Sequence, residues 1–280
     1  IGDAYTIKAE KLLPKCVRQD QPCVPNVQGT KTLSKPIFPI KPVVALSTPG
    51  EIGDCAAITI DPSSSVGDGG SGRPWKSIKW KITIIDGGLE SNGRVDESKL
   101  TTITNFLNTV GQSTKKTITI TNDWLVAPTT YRIELSLTNF LLETTTGAVK
   151  VKKTKIAKQP SVSIVGARSL TLLRADSVSI FAAGSIPVCP GAPVSEGLDV
   201  LLYAWNLWTV VDGKPTLLYS TATHNTSPYP QFKNKAVDKR KFSLLPYVLQ
   251  SNTLYTVEVV VTIDGQSAKQ TVDIAVEAAG

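Results

Sequence analysis

Few side chains in this sequence are of the types that carry out chemistry. It holds one histidine, His224, and four cysteines in 280 residues. A single imidazole cannot provide the general bases or metal ligands that most hydrolytic sites require, and neither a GxSxG nor an HExxH motif is present. We therefore predict that the protein is not an enzyme and that it binds no metal or cofactor.

The cysteines are better suited to disulfide bonds than to a metal site. Cys16, Cys23, Cys55 and Cys189 lack the paired CxxC spacing of zinc sites, and their even number in a β-rich chain favours an oxidising compartment. Cys16 and Cys23 flank a turn that contains proline. That favours a local bridge between them and leaves Cys55 to pair with Cys189, which would lock two halves of the chain together. In the alternative pairing, Cys55 fastens the N-terminal segment to the rest of the chain.

Two loop motifs resemble ligand sites, and we assign both to structure. Residues 67–72 fit the pattern GxGxxG, but the pattern that follows is that of a strand, whereas a dinucleotide site needs a helix. Asp61, Ser63, Ser65 and Asp68 place oxygens at near-alternate positions, as a calcium loop does, but the terminal glutamate of an EF-hand is absent. We expect a loop capped by Asp and Ser side chains.

Lysines are concentrated at residues 150–158 and 233–241, within a net charge of +7. On an exposed edge strand, lysines prevent sheets from associating. The alternative is a contact for acidic glycans through Lys150, Lys152, Lys153 and Lys155. Because aromatic residues are not interleaved with these lysines, we expect no nucleic-acid binding. The sequon at Asn225 is a candidate N-glycosylation site.

The elements that carry these residues occur twice. Trp80 and Trp205 lie 125 residues apart in similar apolar stretches, and Tyr131 and Tyr255, which each open a strand, lie 124 apart. These intervals predict two copies of one β-domain in tandem. We expect the Trp pair in the two cores and the Tyr pair in tyrosine corners, as in immunoglobulin-like sandwiches.

The predicted architecture is all-β: two tandem immunoglobulin-like β-sandwiches, residues 43–158 and 159–280, with an extended N-terminal arm, residues 1–42. In the first repeat we expect strands at 43–47, 56–60, 76–85, 116–121, 130–138 and 148–155, and a short amphipathic helix at 96–110. The second repeat should follow the same order and end with a strand at 271–276. No apolar run is long enough to cross a membrane.

The arm has two parts. Tyr5, Ile7 and Ala9 alternate with polar residues, which is the period of a strand with one buried face, although both repeats already look complete. Pro36, Pro39 and Pro42 fall three apart, which is the period of a stiff polyproline II spacer.

A series of short segments also carries a family resemblance: Lys41-Pro42-Val43-Val44-Ala45, Ile52-Gly53-Asp54-Cys55, Ile60-Asp61-Pro62-Ser63-Ser64-Ser65, Gly69-Gly70, Arg73-Pro74, Thr138-Asn139-Phe140-Leu141, Val162-Ser163-Ile164-Val165-Gly166, and Leu244-Leu245-Pro246-Tyr247-Val248-Leu249-Gln250 followed by Tyr255. In this order they resemble a REJ (receptor for egg jelly) module over residues 41–263. The resemblance implies tandem immunoglobulin/PKD-like sandwiches outside the cell and no catalytic activity. The N-terminal arm is a departure from a bare module.

These observations together predict an extracellular structural glycoprotein, whose partner is a second copy of itself. The strand at Tyr5, Ile7 and Ala9 would add to a sheet of the neighbouring subunit, and a head-to-tail contact that does not close generates a filament. Folding of the arm onto its own chain is the alternative. The rival function is a REJ-like receptor or adhesion ectodomain that binds extracellular glycans or proteins.

Overall fold

Alternating apolar residues produce two β-sandwiches in series. The computed structural model describes residues 4–7, 29–32, 36–69, 73–87, 97–187, 189, 201–221 and 230–278. The arm contributes two short strands, β1 (Ala4–Ile7) and β2 (Gly29–Thr32). The all-β, immunoglobulin-like prediction is confirmed.

The first sandwich is formed by a four-stranded sheet and a small second layer. Its elements are β3 (Glu51–Ile52), β4 (Ile58–Ile60), β5 (Ser77–Gly87), α1 (Glu97–Val110), β6 (Ile118–Ile120), β7 (Thr129–Thr138) and β8 (Thr144–Lys153). The larger sheet has the order β3-β8-β7-β5, with β3 parallel to β8, and β4 pairs with β6 in the other layer.

The second sandwich follows with a larger sheet of five strands. Its elements are β9 (Ser161–Ile164), β10 (Ser169–Leu173), β11 (Val178–Ser185), β12 (Leu202–Val211), β13 (Lys214–Ser220), β14 (Lys241–Leu244), β15 (Thr253–Ile263) and β16 (Gln266–Glu277). The sheet order is β10-β16-β15-β12-β13, and a three-stranded sheet of order β14-β11-β9 faces it.

The repeated tryptophans lie at equivalent places in the two cores, as predicted. Trp80 is 3% exposed and Trp205 is 1% exposed. Each indole donates to a backbone carbonyl, Trp80 Nε1 to Gly111 at 3.0 Å and Trp205 Nε1 to Lys239 at 2.8 Å. Each ring therefore fills its core while its one polar atom is satisfied.

The two repeats differ in how they cover the central strand that carries Trp. In the first, Asn108 of α1 accepts from Trp80 N and donates to Trp80 O, both at 2.9 Å, so a side-chain amide takes the place of a neighbouring strand. In the second, strand β13 pairs with β12, and Thr221 bonds both backbone groups of Trp205. The predicted helix is confirmed, but the expectation of the same element order in both repeats is wrong at this place.

Two further predictions differ from the structure in their extent. Residues 43–47 make only isolated bridges, Val43 to Val66 and Ser47 to Asp61. Strand β8 begins at Thr144, four residues earlier than predicted, because hydroxyl pairs replace apolar contacts there. Ser136 Oγ lies 2.7 Å from Thr146 Oγ1, and Thr138 Oγ1 lies 2.8 Å from Thr144 Oγ1.

Both predicted tyrosine corners are present. The hydroxyl of Tyr131 accepts from the backbone N–H of Val126 at 2.7 Å, and that of Tyr255 accepts from Gln250 N at 3.0 Å. Burial raises the pKa of Tyr131, so its phenol stays protonated in the folded protein.

Replacing either corner tyrosine with Phe should lower the free energy of unfolding by about 1–2 kcal/mol, because a partly buried backbone N–H loses its acceptor. Urea unfolding of Tyr131→Phe and Tyr255→Phe measures the loss. Tyr247→Phe is the control, because that ring is 65% exposed. An equal effect of all three changes would contradict the assignment.

Candidate functional site

Buried polar side chains are concentrated where the two sandwiches meet. The described residues include eleven buried polar or charged side chains. We define the junction as the contact between residues 47–56 and 153–154 of the first sandwich and the residues of the second sandwich that face them. Seven of the eleven buried polar side chains belong to it: Ser47, Thr48, Lys153, Thr154, Gln159, Ser161 and Gln270. Of these seven, the side chains of Ser47 and Gln270 bond across the junction, whereas those of Lys153, Thr154 and Ser161 bond within their own sandwich.

Hydrogen bonds cross the junction in both directions. The carbonyl of Thr48 accepts from Arg168 Nη2 at 2.8 Å and from Gln270 Nε2 at 2.9 Å. Ser47 Oγ donates to the carbonyl of Ile164. Burial lowers the pKa of Arg168, because the guanidinium gives up water at this contact. These directional bonds fix the orientation of one sandwich on the other as well as their proximity.

Close backbone contact also holds residues 154–158, which lead into the second sandwich, against the first. Asp54 N donates to the carbonyl of Ile156 at 3.1 Å. A Cβ at Gly53 would stand only 2.8 Å from the same carbonyl, so the sequence requires glycine there. On the other side, Gln159 Nε2 donates to Ser267 O at 2.7 Å, which ties the linker to the β15–β16 hairpin of the second sandwich.

The disulfide predicted between Cys55 and Cys189 is confirmed. Its Cα atoms lie 5.1 Å apart, and the cysteines are separated by 134 residues in sequence. The bridge joins the loop before β4 to the segment after β11, so it is covalent and interdomain. It borders a cleft of about 540 Å³ between the sandwiches, lined by hydroxyl groups that include Ser47, Ser161 and Ser163.

Lys153 is buried at the end of β8 and is 1% exposed. Its Nζ donates to the carbonyls of Gly53 at 3.3 Å, Asp54 at 2.5 Å and Ala56 at 3.3 Å. Asn122 Oδ1, at 2.5 Å, completes four oxygen acceptors. Burial lowers the pKa of Lys153, and nearby Asp54 partly opposes that change. The ammonium therefore holds the loop that carries Cys55.

The burial of Lys153 corrects the predicted contact for acidic glycans, because a ligand at the surface cannot reach this side chain. Lys150, Lys152 and Lys155 are exposed. The burial of Lys153 could have been inferred from the sequence. Residues two apart on a strand share a face, so Lys153 lies on the same side of β8 as buried Val149 and Val151.

Lys153→Met should lower the free energy of unfolding by about 3 kcal/mol at neutral pH, because it leaves several buried oxygens without a donor. The folded pKa lies below the unfolded value of 10.5, so the unfolded chain binds this proton more tightly. The stabilising contribution of Lys153 should therefore grow as the pH approaches 10.5, so the difference in unfolding free energy between wild type and Lys153→Met should grow over the same range.

Urea unfolding across pH makes both measurements, and Lys152→Met is the control, because Lys152 is the exposed neighbour on the opposite face of β8. A loss of stability in Lys152→Met as large as that in Lys153→Met would contradict the proposed role.

The remaining lysines of the first sandwich form a surface that we call the cationic face. It is the outer side of β5, β7 and β8, where cross-strand register brings together Lys79, Lys81, Arg132, Lys150 and Lys152. Carboxylates partly offset these charges, with Glu134 Oε1 2.7 Å from Arg132 Nη2 and Glu51 Oε1 3.3 Å from Lys152 Nζ. Exposed Asp86 shares a cross-strand row with Lys152, and Glu97 lines a cleft with Lys79 and Lys81. The face therefore carries an excess of positive charge.

The sequence pattern predicted only part of the cationic face. Lys79 and Lys81 lie seventy residues before the cluster at 150–158, and only the antiparallel pairing of β5 with β7 and of β7 with β8 places them beside it. Lysines 233, 235, 239 and 241 of the second cluster are exposed on the other sandwich.

The arm strand predicted at Tyr5–Ala9 is found as β1 and is paired within the arm. Ala4–Ile7 runs antiparallel to Gly29–Thr32, in a two-stranded ribbon. The side chains of Tyr5 and Ile7, residue Ala9, and Cys16 and Cys23 lie outside the described residues, as do Asn225 and His224. Of the spacer prolines, Pro36 is exposed, Pro39 is half-buried and Pro42 is buried.

The oxygen-rich loop at residues 61–68 is closed by its own side chains, as expected. Asp61 Oδ1 accepts from Ser63 N at 2.9 Å, and Ser65 Oγ bonds both backbone groups of Ala45 at 3.0 and 3.1 Å. Strand β5 follows the glycines, as predicted. Within the described ranges, no group of three or more His, Cys, Asp or Glu side chains could hold a metal ion. In that same part of the chain, no helix has the length and apolar content to span a membrane.

Comparisons with known proteins give weak similarity only. No protein-family model matches the chain. No curated protein matches it. The three N-terminal domains of the highly immunogenic outer capsid protein (Hoc) of bacteriophage RB49 align with 86% of this chain and 71% of their own, at 10% identity and a TM-score of 0.29.

Two other solved structures are similar to the same degree. The tandem Ig repeats of Dlar align with 84% of this chain and 100% of theirs, at 9% identity and a TM-score of 0.28. Extracellular domains 3–5 of Drosophila OTK align with 91% and 67%, at 11% identity and a TM-score of 0.26. At these values the similarities do not extend to function, so the immunoglobulin-like assignment rests on the sheet topology described above.

Proposed function

We propose that the protein is a non-enzymatic, extracellular structural unit that assembles head to tail into a fibre through its N-terminal arm. The observation that carries this proposal is the junction, where a disulfide and several directional hydrogen bonds join two sandwiches end to end. A flexible tether would suffice for two independent binding modules. A unit that transmits force along its length gains from a locked junction.

The covalent bridge supports an extracellular location, because such bonds persist in oxidising surroundings. It closes a loop of 134 residues, which in the chain-entropy model stabilises the fold by up to about 5 kcal/mol. The resemblance to REJ modules implies the same location and stays a prediction.

Deleting residues 1–40 should abolish assembly and leave a monomer with both sandwiches folded. Electron microscopy and sedimentation velocity of the full chain and of the deletion variant, each over a range of concentrations, measure this. A full chain that remains monomeric throughout, or a deletion variant that still forms filaments, would contradict the proposal. Circular dichroism of the deletion variant verifies that the sandwiches stay folded.

The cationic face favours a second candidate function, adhesion to acidic extracellular glycans. Its five basic side chains lie on one outer sheet surface and outnumber the carboxylates on that surface, an arrangement that suits an extended polyanion. This contact would use the side of the first sandwich, so it is compatible with end-to-end assembly.

Changing Lys79 and Lys150 to Glu together should weaken binding to a sulfated polysaccharide such as heparin roughly tenfold or more. Changing Lys233 and Lys235 to Glu is the matched control, because it alters net charge equally on the second sandwich. Binding is measured by calorimetry at two salt concentrations, since an ionic contact weakens with salt. Equal losses in both variants would indicate attraction by net charge alone.

A further inference from the structure

The spacer, residues 36–42, exposes large apolar side chains at one end of the first sandwich. Ile37 is 89% exposed, Phe38 91% and Ile40 61%. The base of this segment is fixed, because Asn139 Nδ2 donates to the Ile40 carbonyl at 2.7 Å. Three prolines stiffen a stretch of seven residues. The segment is therefore preorganised for docking, which reduces the entropy lost on binding.

A second apolar surface lies on the outside of the five-stranded sheet. We call it the distal face. Cross-strand register places Trp208 beside Leu217 on β12 and β13, and Leu254 lies on the same side of β15. Val210 is 59% exposed, Leu254 54% and Leu217 38%. Four neighbouring apolar side chains on one outer sheet face are unusual for a surface that meets only water.

The two surfaces lie at opposite ends of the two-domain unit. Asn139, which holds the spacer, follows the Thr138–Thr144 end of the β7–β8 pair, whereas Lys153 at the other end of β8 belongs to the junction. Ten residues of strand separate these ends, roughly 30 Å.

In the second sandwich, Ser267 of the junction pairs with Thr262, near Leu202, whereas Leu254 pairs with Ala275 at the far end of the same strands. The distal face is therefore at the end away from the first sandwich.

Charge around the two surfaces is complementary. Exposed Asp212, Asp273 and Glu277 lie around the distal face, with Lys214 among them. The spacer holds no acidic residue and carries exposed Lys41, and Arg73 and Lys76 are exposed at the same end of the first sandwich. Both rims are mixed, because Asp68 and Glu143 lie half-buried at the spacer end and Arg174 is exposed at the distal end. A small positive excess at one end still faces a small negative excess at the other, which favours this pairing over like ends.

We propose that Ile37, Phe38 and Ile40 of one chain pack on the distal face of a second copy, an inference that rests on the head-to-tail assembly proposed above. The contact is heterologous, because each chain contributes the spacer at one end and the distal face at the other. It leaves a free spacer and a free face after every addition, so it extends along one axis.

Phe38→Glu and Val210→Lys should each block assembly, since they bury a charge in the contact and repel the rim of the opposite surface. We expect the concentration at which filaments form to rise roughly 30-fold or more in each variant. Both side chains are exposed, so thermal unfolding should be unchanged. Val237→Glu is the control, because Val237 is 100% exposed and belongs to neither surface.

Mixing the two blocked variants gives the sharpest test. Phe38→Glu retains an intact distal face and Val210→Lys retains an intact spacer, so the mixture should form one-to-one dimers that cannot grow, with their mass measured by light scattering. A mixture that stays monomeric, or variants that assemble as the control does, would overturn this contact. If the two point variants assemble as the control does but the deletion of residues 1–40 still blocks filaments, assembly through the arm stands and only the assignment of the two contact surfaces is wrong. A wild type that never assembles overturns both.

Discussion

The structure depends on a buried ammonium group. Lys153 Nζ donates to the carbonyls of residues 53, 54 and 56, so it holds the loop in which Cys55 lies. Four oxygens offset part of the large cost of removing a charge from water. Hydrophobic contact alone would bring the sandwiches together without fixing that loop. The loop held in this way carries Cys55 to its bridge with Cys189, and the polar contacts of Thr48 help to set the angle between the sandwiches.

Most of the fold could be predicted from the sequence because it depends on short-range patterns. The period-two alternation around Trp80 and Trp205 and the Tyr at the start of β7 and β15 locate both cores. The differences arise where a contact is long-range. The edge of β5 is covered by an amide from α1, and that of β12 by strand β13, although similar tryptophan strands precede both. Local periodicity does not specify whether a side-chain amide or a further strand covers the edge of the strand that carries Trp.

The candidate site was less predictable for the same physical reason. The disulfide could be inferred, since only three pairings of four cysteines exist and spacing favours one. The burial of Lys153 could have been inferred from its phase on β8, but a cluster of lysines suggests solvent more strongly than alternation suggests burial. The cationic face could not have been inferred, because Lys79 and Lys150 come to lie on one sheet face only through two strand pairings. Nor does any local pattern identify the distal face, which combines residues of three strands.

The way the sheets are bounded argues for axial contact over lateral contact. Edge strands attract other chains through unpaired backbone groups, and proteins block them with helices, lysines and prolines. Here Asn108 of α1 occupies backbone groups of β5, and the exposed edge strand β13 begins with Lys214 and Pro215. Lateral growth by strand pairing is disfavoured at these edges, whereas the apolar side chains of Phe38 and Val210 remain exposed at the two ends. A chain that blocks two of its sheet edges and exposes apolar surface at its ends is suited to growth in one dimension, and the cationic face on its side stays open to a second, ionic partner.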